Sequence, residues 1–357
     1  MLLNIRTDIK RVLVTVVSVA GCCALVVIGF TLKHAIDQAV VNQYDGIVQY
    51  DGRVRCGYSG DIEQYLKEVG VDYVLLHDGN ITFRVQDMDV GELYVGDIAA
   101  IQRMHRLDDW QTEKPLAPTD EGVLIQRRMA EKYDLTVGST FEITLGGTQP
   151  ATVQVAGVFE NYVGRLMVMS PAYYESLFGK EPELNAFFLQ FGDMEAEKLL
   201  GELKEIIGFE DYTPSDEGKA MFQAATSVIN IVVFLFILMA AVMAGVVLMN
   251  LTNIYIMQKK RELTVMRING FTTKEVISYV TRETVLTTIL GILLGFAAGS
   301  LVGYRIVRAL EQSFIQLERG VCFPAWGYAA AMTVLFTVIV NVIALRKVKN
   351  LKLTDVA

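Results

Sequence analysis

Residues 220–257 read AMFQAATSVINIVVFLFILMAAVMAGVVLMNLTNIYIM, 38 consecutive positions without a charged side chain. Wound as one helix at 1.5 Å per residue, they reach about 57 Å, nearly twice the roughly 30 Å of bilayer hydrocarbon. The window reads as a membrane-crossing helix with residues left to project beyond the bilayer. Three further uncharged windows lie at 12–32 (21 residues), 284–304 (21) and 324–345 (22). Each reaches the roughly 20 residues that a crossing helix needs. The chain therefore reads as a polytopic α-helical membrane protein with four transmembrane helices. Its 357 residues are 52% hydrophobic, an average over apolar spans and the more polar material between them.

Lys10 and Arg11 precede the first apolar run as they would in a cleavable leader. A leader, however, has an apolar core of about 7 to 15 residues and then a small-residue cleavage site. Here the run continues to Leu32 and enters His34-Ala35-Ile36-Asp37, so it reads as a retained span. Leu32, Ile36 and Val40 recur at helical spacing, which continues the helix outward. Together with the start of the second window it suggests a helical stalk, the alternative for residues 220–227 being a loop.

Charge separates the two sides of the membrane. Residues 1–11, 258–283 and 346–357 hold 13 basic and five acidic side chains, a net of +8, whereas residues 33–226 hold 16 basic and 33 acidic, a net of -17. Basic flanks mark the cytoplasmic face. Both termini and the 258–283 loop are thus expected inside the cell, and the large domain outside. Boundaries follow: 1–32 with the first span, 33–219 the extracytoplasmic domain, 220–257 the long second span, 258–283 an inner loop, 284–304 the third span, 305–323 a short outer loop, 324–345 the fourth span and 346–357 a tail.

The outer domain mixes strand and helix patterns, an α+β composition. Residues 71–76, 81–85, 140–145 and 151–159 alternate as strands, with turns read at Asp78-Gly79-Asn80 and Gly146-Gly147. Helices are expected over 60–69, 124–133, 171–178 and 194–207. Pro115 and Pro118 suggest a division into two lobes near residue 115.

No catalytic, cofactor or metal site emerges from the residues. His34, His77 and His105 are scattered, and neither a Gly-x-Ser-x-Gly elbow nor a phosphate-cradling Gly-x-x-x-x-Gly-Lys-Ser/Thr loop occurs. The acidic pairs Asp87 with Asp89 and Asp108 with Asp109 read first as solvated surface. An acidic excess also disfavours nucleic-acid binding. Cys22 and Cys23 lie within the first span, and a bridge between Cys56 and Cys322, both expected outside, stays open.

Residues 258–276 read QKKRELTVMRINGFTTKEV. Physically this is helix, turn, helix: Gly270 stands where a left-handed residue ends the first helix, and Thr272 with Glu275 has the spacing of a capping box. The stretch resembles the cytoplasmic loop of FtsX-like permeases, the membrane subunits of MacB-type ABC transporters, whose pattern is roughly Arg-Glu-Leu-x-x-Leu-Arg-x-x-Gly-Phe. Arg261, Glu262, Leu263, Arg267, Gly270 and Phe271 match it. Met266 stands where leucine is usual, and Asn269 where a small residue is common.

The resemblance extends over 258–357, and Arg11 to Val16 with Gly29-Phe30 is similar to the start of such a unit. It implies a separate ABC ATPase subunit that binds ATP and docks on the matched residues. The permease then transmits its movement toward export or mechanical work outside the membrane, on peptide or lipoprotein substrates. It also implies pairing with a second permease half or a second copy, since the chain is similar to the second half of large Gram-positive permeases. The competing class is a membrane-anchored sensor or adaptor that binds an extracellular ligand or cell-wall enzyme.

Gly291, Gly295, Gly299 and Gly303 stand four apart in the third span. They form one small-residue face that lets another helix approach closely. Ile292 and Phe296 fall off that face and are expected against lipid.

Overall fold

Over residues 72–84 and 151–155, side chains alternate between a packed and an open face, the period-two pattern that builds strands. The computed structural model describes residues 9–146, 149–192, 194, 196–312 and 315–349. In chain order the elements are α1 (Ile9–Val41), a π-helical turn (Asn42–Ile47), β1 (Gly52–Cys56), α2 (Gly60–Val69), β2 (Asp72–Arg84), β3 (Met88–Val95), α3 (Ile98–Met104), β4 (Val123–Gln126), α4 (Arg127–Tyr133), β5 (Thr140–Leu145), β6 (Ala151–Phe159), β7 (Leu166–Met169), α5 (Pro171–Phe178), β8 (Ala186–Gln190), α6 (Ala196–Leu203), β9 (Phe209–Pro214), α7 (Ser215–Ile268), α8 (Thr273–Leu310) and α9 (Phe323–Lys349). Two units result: a sheet unit of residues 36–226 with 311–318, and a helical unit of the remaining described residues.

Half of the sheet unit is a four-stranded antiparallel sheet in the order β9-β1-β8-β2. With α2 after β1 and α6 after β8, it has the split β-α-β order of ferredoxin-like folds. Ile62 and Leu66 of α2, with Leu199 and Leu203 of α6, pack on Val54, Phe187 and Leu189. The opposite face holds Val74, Leu76 and Phe188 against Ile98, Ile101 and Met104 of α3.

The other half is inserted between β2 and β8. Strands β2, β5, β6, β4, β7 and β3 follow one another and return to β2, closing a six-stranded ring. Closure leaves no free edge for unwanted strand pairing. Phe83, Leu93, Ile125, Phe141, Val153 and Met167 fill its core.

Strand β2 serves both halves. Val74, Leu76 and Asp78 are buried, then Ile81 and Phe83, so the packed face changes parity across Gly79-Asn80. The Asp-Gly-Asn triplet is therefore not a turn. Asp78, Gly79 and Asn80 pair with Tyr94, Leu93 and Glu92, and Asp78 spends its carboxylate on Arg53 and Arg55 instead of its own backbone.

Other expectations are corrected likewise. The lobes are not divided near residue 115: the second is an insertion, and Pro115 lies inside it, bridged to Asp108. Residues 124–126 are strand, with helix only from Arg127. The helix expected over 194–207 is confined to Ala196–Leu203. Helices α2 and α5 have the expected bounds because each ends at a left-handed glycine, Gly70 and Gly179. Of the glycine turn at 146–147, Gly146 lies in a turn and Gly147 is outside the described residues.

In the helical unit, Cys23, Val26 and Val27 of α1, Ala240 of α7, Ile292 and Phe296 of α8, and Trp326, Ala329 and Met332 of α9 form one cluster. Outside it the helices stay apolar: Leu293, Leu294 and Leu301 of α8 are 58%, 53% and 63% exposed. Such a surface suits hydrocarbon rather than water. Among the described residues two helical stretches are long and apolar enough to cross a membrane, Val12–Ile47 and Val285–Leu310, while α7 and α9 carry shorter apolar stretches at Val233–Val247 and Phe323–Ile339. Residues 220–227 are helical, within α7.

Candidate functional site

The turn between α7 and α8 is built by two local devices. Gly270 adopts φ +90°, and the Phe271 N–H donates to the carbonyl of Met266 at 3.1 Å, the six-to-one bond of a Schellman stop. Thr272 then caps α8. The Glu275 N–H donates to Thr272 Oγ1 at 3.4 Å, and Glu275 Oε2 accepts from the Thr272 N–H at 2.8 Å and its hydroxyl at 2.9 Å. These bonds to the Thr272 backbone and side chain hold the Glu275 carboxyl below the usual range. The result is a stiff tip with Gly270 and Phe271 exposed, Phe271 by 48%. Arg261, Glu262, Leu263 and Arg267 belong to the last turns of α7, and their side chains lie outside the described residues.

The glycine face of α8 meets α1 of the same chain. A β-carbon at Gly291 would stand 2.6 Å from Val19 Cγ1, at Gly295 2.6 Å from Cys23 Cβ, and at Gly299 2.8 Å from Val27 Cβ and 3.0 Å from the Ala24 carbonyl oxygen. At Gly303 the nearest atom is Thr31 Cγ2 at 3.5 Å, an ordinary contact. Ile292 and Phe296 do not face outward as expected. They pack in the helical cluster, where Phe296 stacks on Trp326 at 5.1 Å and the Trp326 indole N–H donates to Ser300 Oγ at 2.9 Å. At 3.6 residues per turn the position after each glycine lies about 100° round the helix from it, where Phe296 meets Trp326 of α9.

Elsewhere the polar groups mostly hold the fold. Asp89 joins Arg165 at 2.8 Å, Lys132 at 3.3 Å and the Tyr133 hydroxyl at 2.6 Å, while Asp108 pairs with Arg106. All four cysteines are free and buried. No group of three His, Cys, Asp or Glu suited to a metal occurs among the described residues.

Glu311, Gln312 and Glu318 are tied into the sheet unit. Arg128 donates to the carbonyls of Glu311 at 2.8 Å and Gln312 at 3.0 Å, and Glu318 Oε2 accepts from Tyr162 at 2.9 Å and Asn42 at 3.0 Å. The outer loop expected at 305–323 is thus shorter, since α8 continues to Leu310.

Two features were invisible in the sequence. One is the ion pair of Asp78, only 1% exposed, with Arg53 at 2.8 Å and Arg55 at 3.2 Å. The other is His105, buried at the end of α3 against Tyr94. Burial pushes its imidazole down to about 4, the Asn161 amide opposing, so the ring is neutral near pH 7. Neither carries a local signal, because the partners are distant in the chain.

A bundle of helices with outward apolar faces, carried on the same chain as a folded α+β unit, defines a membrane protein with a substantial domain outside the hydrocarbon. Residues 234–353 match the family described as FtsX-like permease C-terminal. That segment, about a third of the chain, includes the capped turn and the glycine face. Among solved structures, the chain is similar to the periplasmic region of MacB from Actinobacillus actinomycetemcomitans, 13% identical over 52% of this chain and 97% of that one, with a TM-score of 0.32. It is also similar to the extracellular domain of the noncanonic ABC-type transporter YknZ from Gram-positive bacteria, 21% identical over 43% and 86%, with a TM-score of 0.30. No curated protein matches the chain.

Proposed function

We propose that this chain is the permease subunit of an ABC transporter of the FtsX/MacB type, carrying the ATP-driven movement of a partner ATPase across the membrane for export or extracytoplasmic mechanical work. The observation that carries the reading is the stiff exposed tip at Gly270-Phe271, inside the family-matched segment. A doubly capped turn passes a push into the helices it joins, where an unstructured connector would absorb it. Helix α8 runs without interruption from that tip to Leu310, and Glu311 and Gln312, which follow, accept hydrogen bonds from Arg128 of the sheet unit.

In this reading four helices cross the membrane, with residues 258–283 facing the cytoplasm and the sheet unit outside. ATP belongs to the partner, and no residue of this chain is catalytic. Arg261, Glu262, Leu263, Arg267, Gly270 and Phe271 contact the ATPase, and a second permease half or a second copy completes the transporter.

The test is affinity purification of the full chain from its own membranes. An ATPase subunit should co-purify, identified by mass spectrometry together with ATP hydrolysis. Glu262→Arg and Phe271→Ala should each cut co-purification and hydrolysis severalfold, with membrane insertion unchanged, because a charge is set against its like and an exposed apolar anchor is removed. Wild-type levels in both variants would sink the docking assignment.

A further inference from the structure

The sheet unit contains a cleft of about 200 Å³ that the coupling reading does not use. Glu92 and Tyr94, alternate residues of β3, line it together with Tyr44, Tyr50, His105 and Asn161. His105 is 4% exposed, and neither ring nitrogen has a hydrogen-bond partner among the described residues. Asn161 is 1% exposed. Its Nδ2 donates to Gln126 Oε1 at 3.1 Å and to the Val163 carbonyl at 2.6 Å, which orients the amide and leaves Oδ1 without a donor. Buried acceptors left unmatched are costly. A neutral imidazole presents one N–H and one acceptor nitrogen, and the N–H is the donor nearest the Asn161 amide, so at least one acceptor in the cleft lacks a donor.

Charge narrows the choice. Arg53 also lines the cleft, but its guanidinium is bonded to Asp78. Glu92 is exposed toward the cleft, and its carboxyl has no hydrogen bond or ion pair among the described residues; partial desolvation and Asp78 push it above the usual carboxylate range, with Arg53 and Arg55 opposing. An anionic ligand would meet that carboxylate, and a divalent metal lacks a third donor of the usual kind among the described residues. Three tyrosine rings line the same space, and aromatic faces attract cations.

We propose that this cleft binds a primary alkylammonium group, presented by a free amine or by a lysine side chain. Its three N–H donors answer the Glu92 carboxylate, Asn161 Oδ1 and the unprotonated His105 nitrogen, and its charge is met by Glu92 and the rings. The site stands apart from ATPase docking, and its test needs no ATPase.

Calorimetric titration of the full chain in lipid nanodiscs would use cadaverine, its neutral analogue pentane-1,5-diol, the peptide acetyl-Ala-Lys-Ala-amide and the Nε-acetylated form of that peptide. Cadaverine should bind saturably, and the diol at least tenfold more weakly. Glu92→Gln should lose at least tenfold in cadaverine affinity with an unchanged melting temperature, while Glu181→Gln on the exposed surface should bind as wild type. Binding of the lysine peptide but not its acetylated form assigns the site to peptides, and binding of cadaverine alone assigns it to free amines. Absence of binding by both amines, equal affinity for amine and diol, or an equal loss in Glu181→Gln would overturn the proposal. The amine–diol comparison decides the matter on the wild-type chain should Glu92→Gln fail to fold.

Discussion

Gly295 of α8 lies against Cys23 of α1, so close that an added β-carbon would stand 2.6 Å from Cys23 Cβ and 2.9 Å from the Ala20 carbonyl oxygen. Two helix backbones touch there, and only hydrogen fits between them. In hydrocarbon, where apolar burial offers no net drive, such close packing is a main source of helix association.

Leucine at Gly295 or Gly299 should therefore destabilise the helical unit by about 1–3 kcal/mol or more through overpacking. Leucine at Gly303 should cost less, its contact being an ordinary one. Leu294→Met, on the exposed face, is the control, since Phe296 stacks on Trp326 and does not face lipid. Melting temperatures in detergent should fall in that graded order. Four equal values would show that the two backbones do not meet.

Asp78→Asn leaves Arg53 and Arg55 without their carboxylate in a site where Asp78 is 1% exposed. Removing one partner of a buried pair costs about 3–5 kcal/mol, and the lower end applies because Arg55 remains 44% exposed. Adding Arg53→Met should recover part of the loss, since no buried charge then stands alone. A thermal-melt double-mutant cycle with no coupling between the two changes would refute the pairing.

His105 predicts a pH dependence of known sign. Its folded value is pushed down to about 4 by burial, against about 6.5 unfolded. The unfolded chain thus binds the proton first, and the contribution, about 3 kcal/mol at most, is complete above pH 6.5 and lost as pH falls toward 4. His105→Phe should flatten the melting temperature over that window relative to wild type. An unchanged slope in the variant would place the titration elsewhere.

Orientation is open to direct labelling. Single cysteines at Gly138 and Gly179, both at positive φ with nothing near a β-carbon, should react with an impermeant thiol reagent on intact cells in a background free of other cysteines. A cysteine at Thr273 should react only after permeabilisation. External labelling at Thr273 would invert the topology.

Much of the capped turn was legible because its signals are local: Gly270, Thr272 and Glu275 lie within six residues, and their bonds form in any context that lets α7 and α8 be helical. The α2 and α5 ends were legible for the same reason. Asp78-Gly79-Asn80 carries an equally local turn signal, yet tertiary partners overrode it. Asp78 was claimed by arginines 23 and 25 positions away, and Gly79 and Asn80 by the β3 ladder.

Strands β1, β3, β7, β8 and β9 have no counterpart in the sequence pattern, because β7 and β8 are buried on both faces and show no alternation, while β1, β3 and β9 take their order from neighbours. The amine cleft was equally hidden, since Glu92, His105 and Asn161 come from three separate elements. Spacing alone brought the four glycines to one face, but nothing in it could say which helix would meet them.

By itself, the sequence determined the apolar windows, the charge contrast between the loops and the large domain, and the capped turn. Span length answers to bilayer thickness, and helix stops answer to residues a few positions apart, so both are written along the chain. Only the tertiary structure decided that one ferredoxin-like sheet carries a closed six-stranded ring as an insertion, that the α8 glycines face α1, and that His105 is buried beside a carboxylate cleft. Those outcomes depend on partners tens to hundreds of residues apart, and burial and hydrogen-bond satisfaction select among them only once the whole chain is packed.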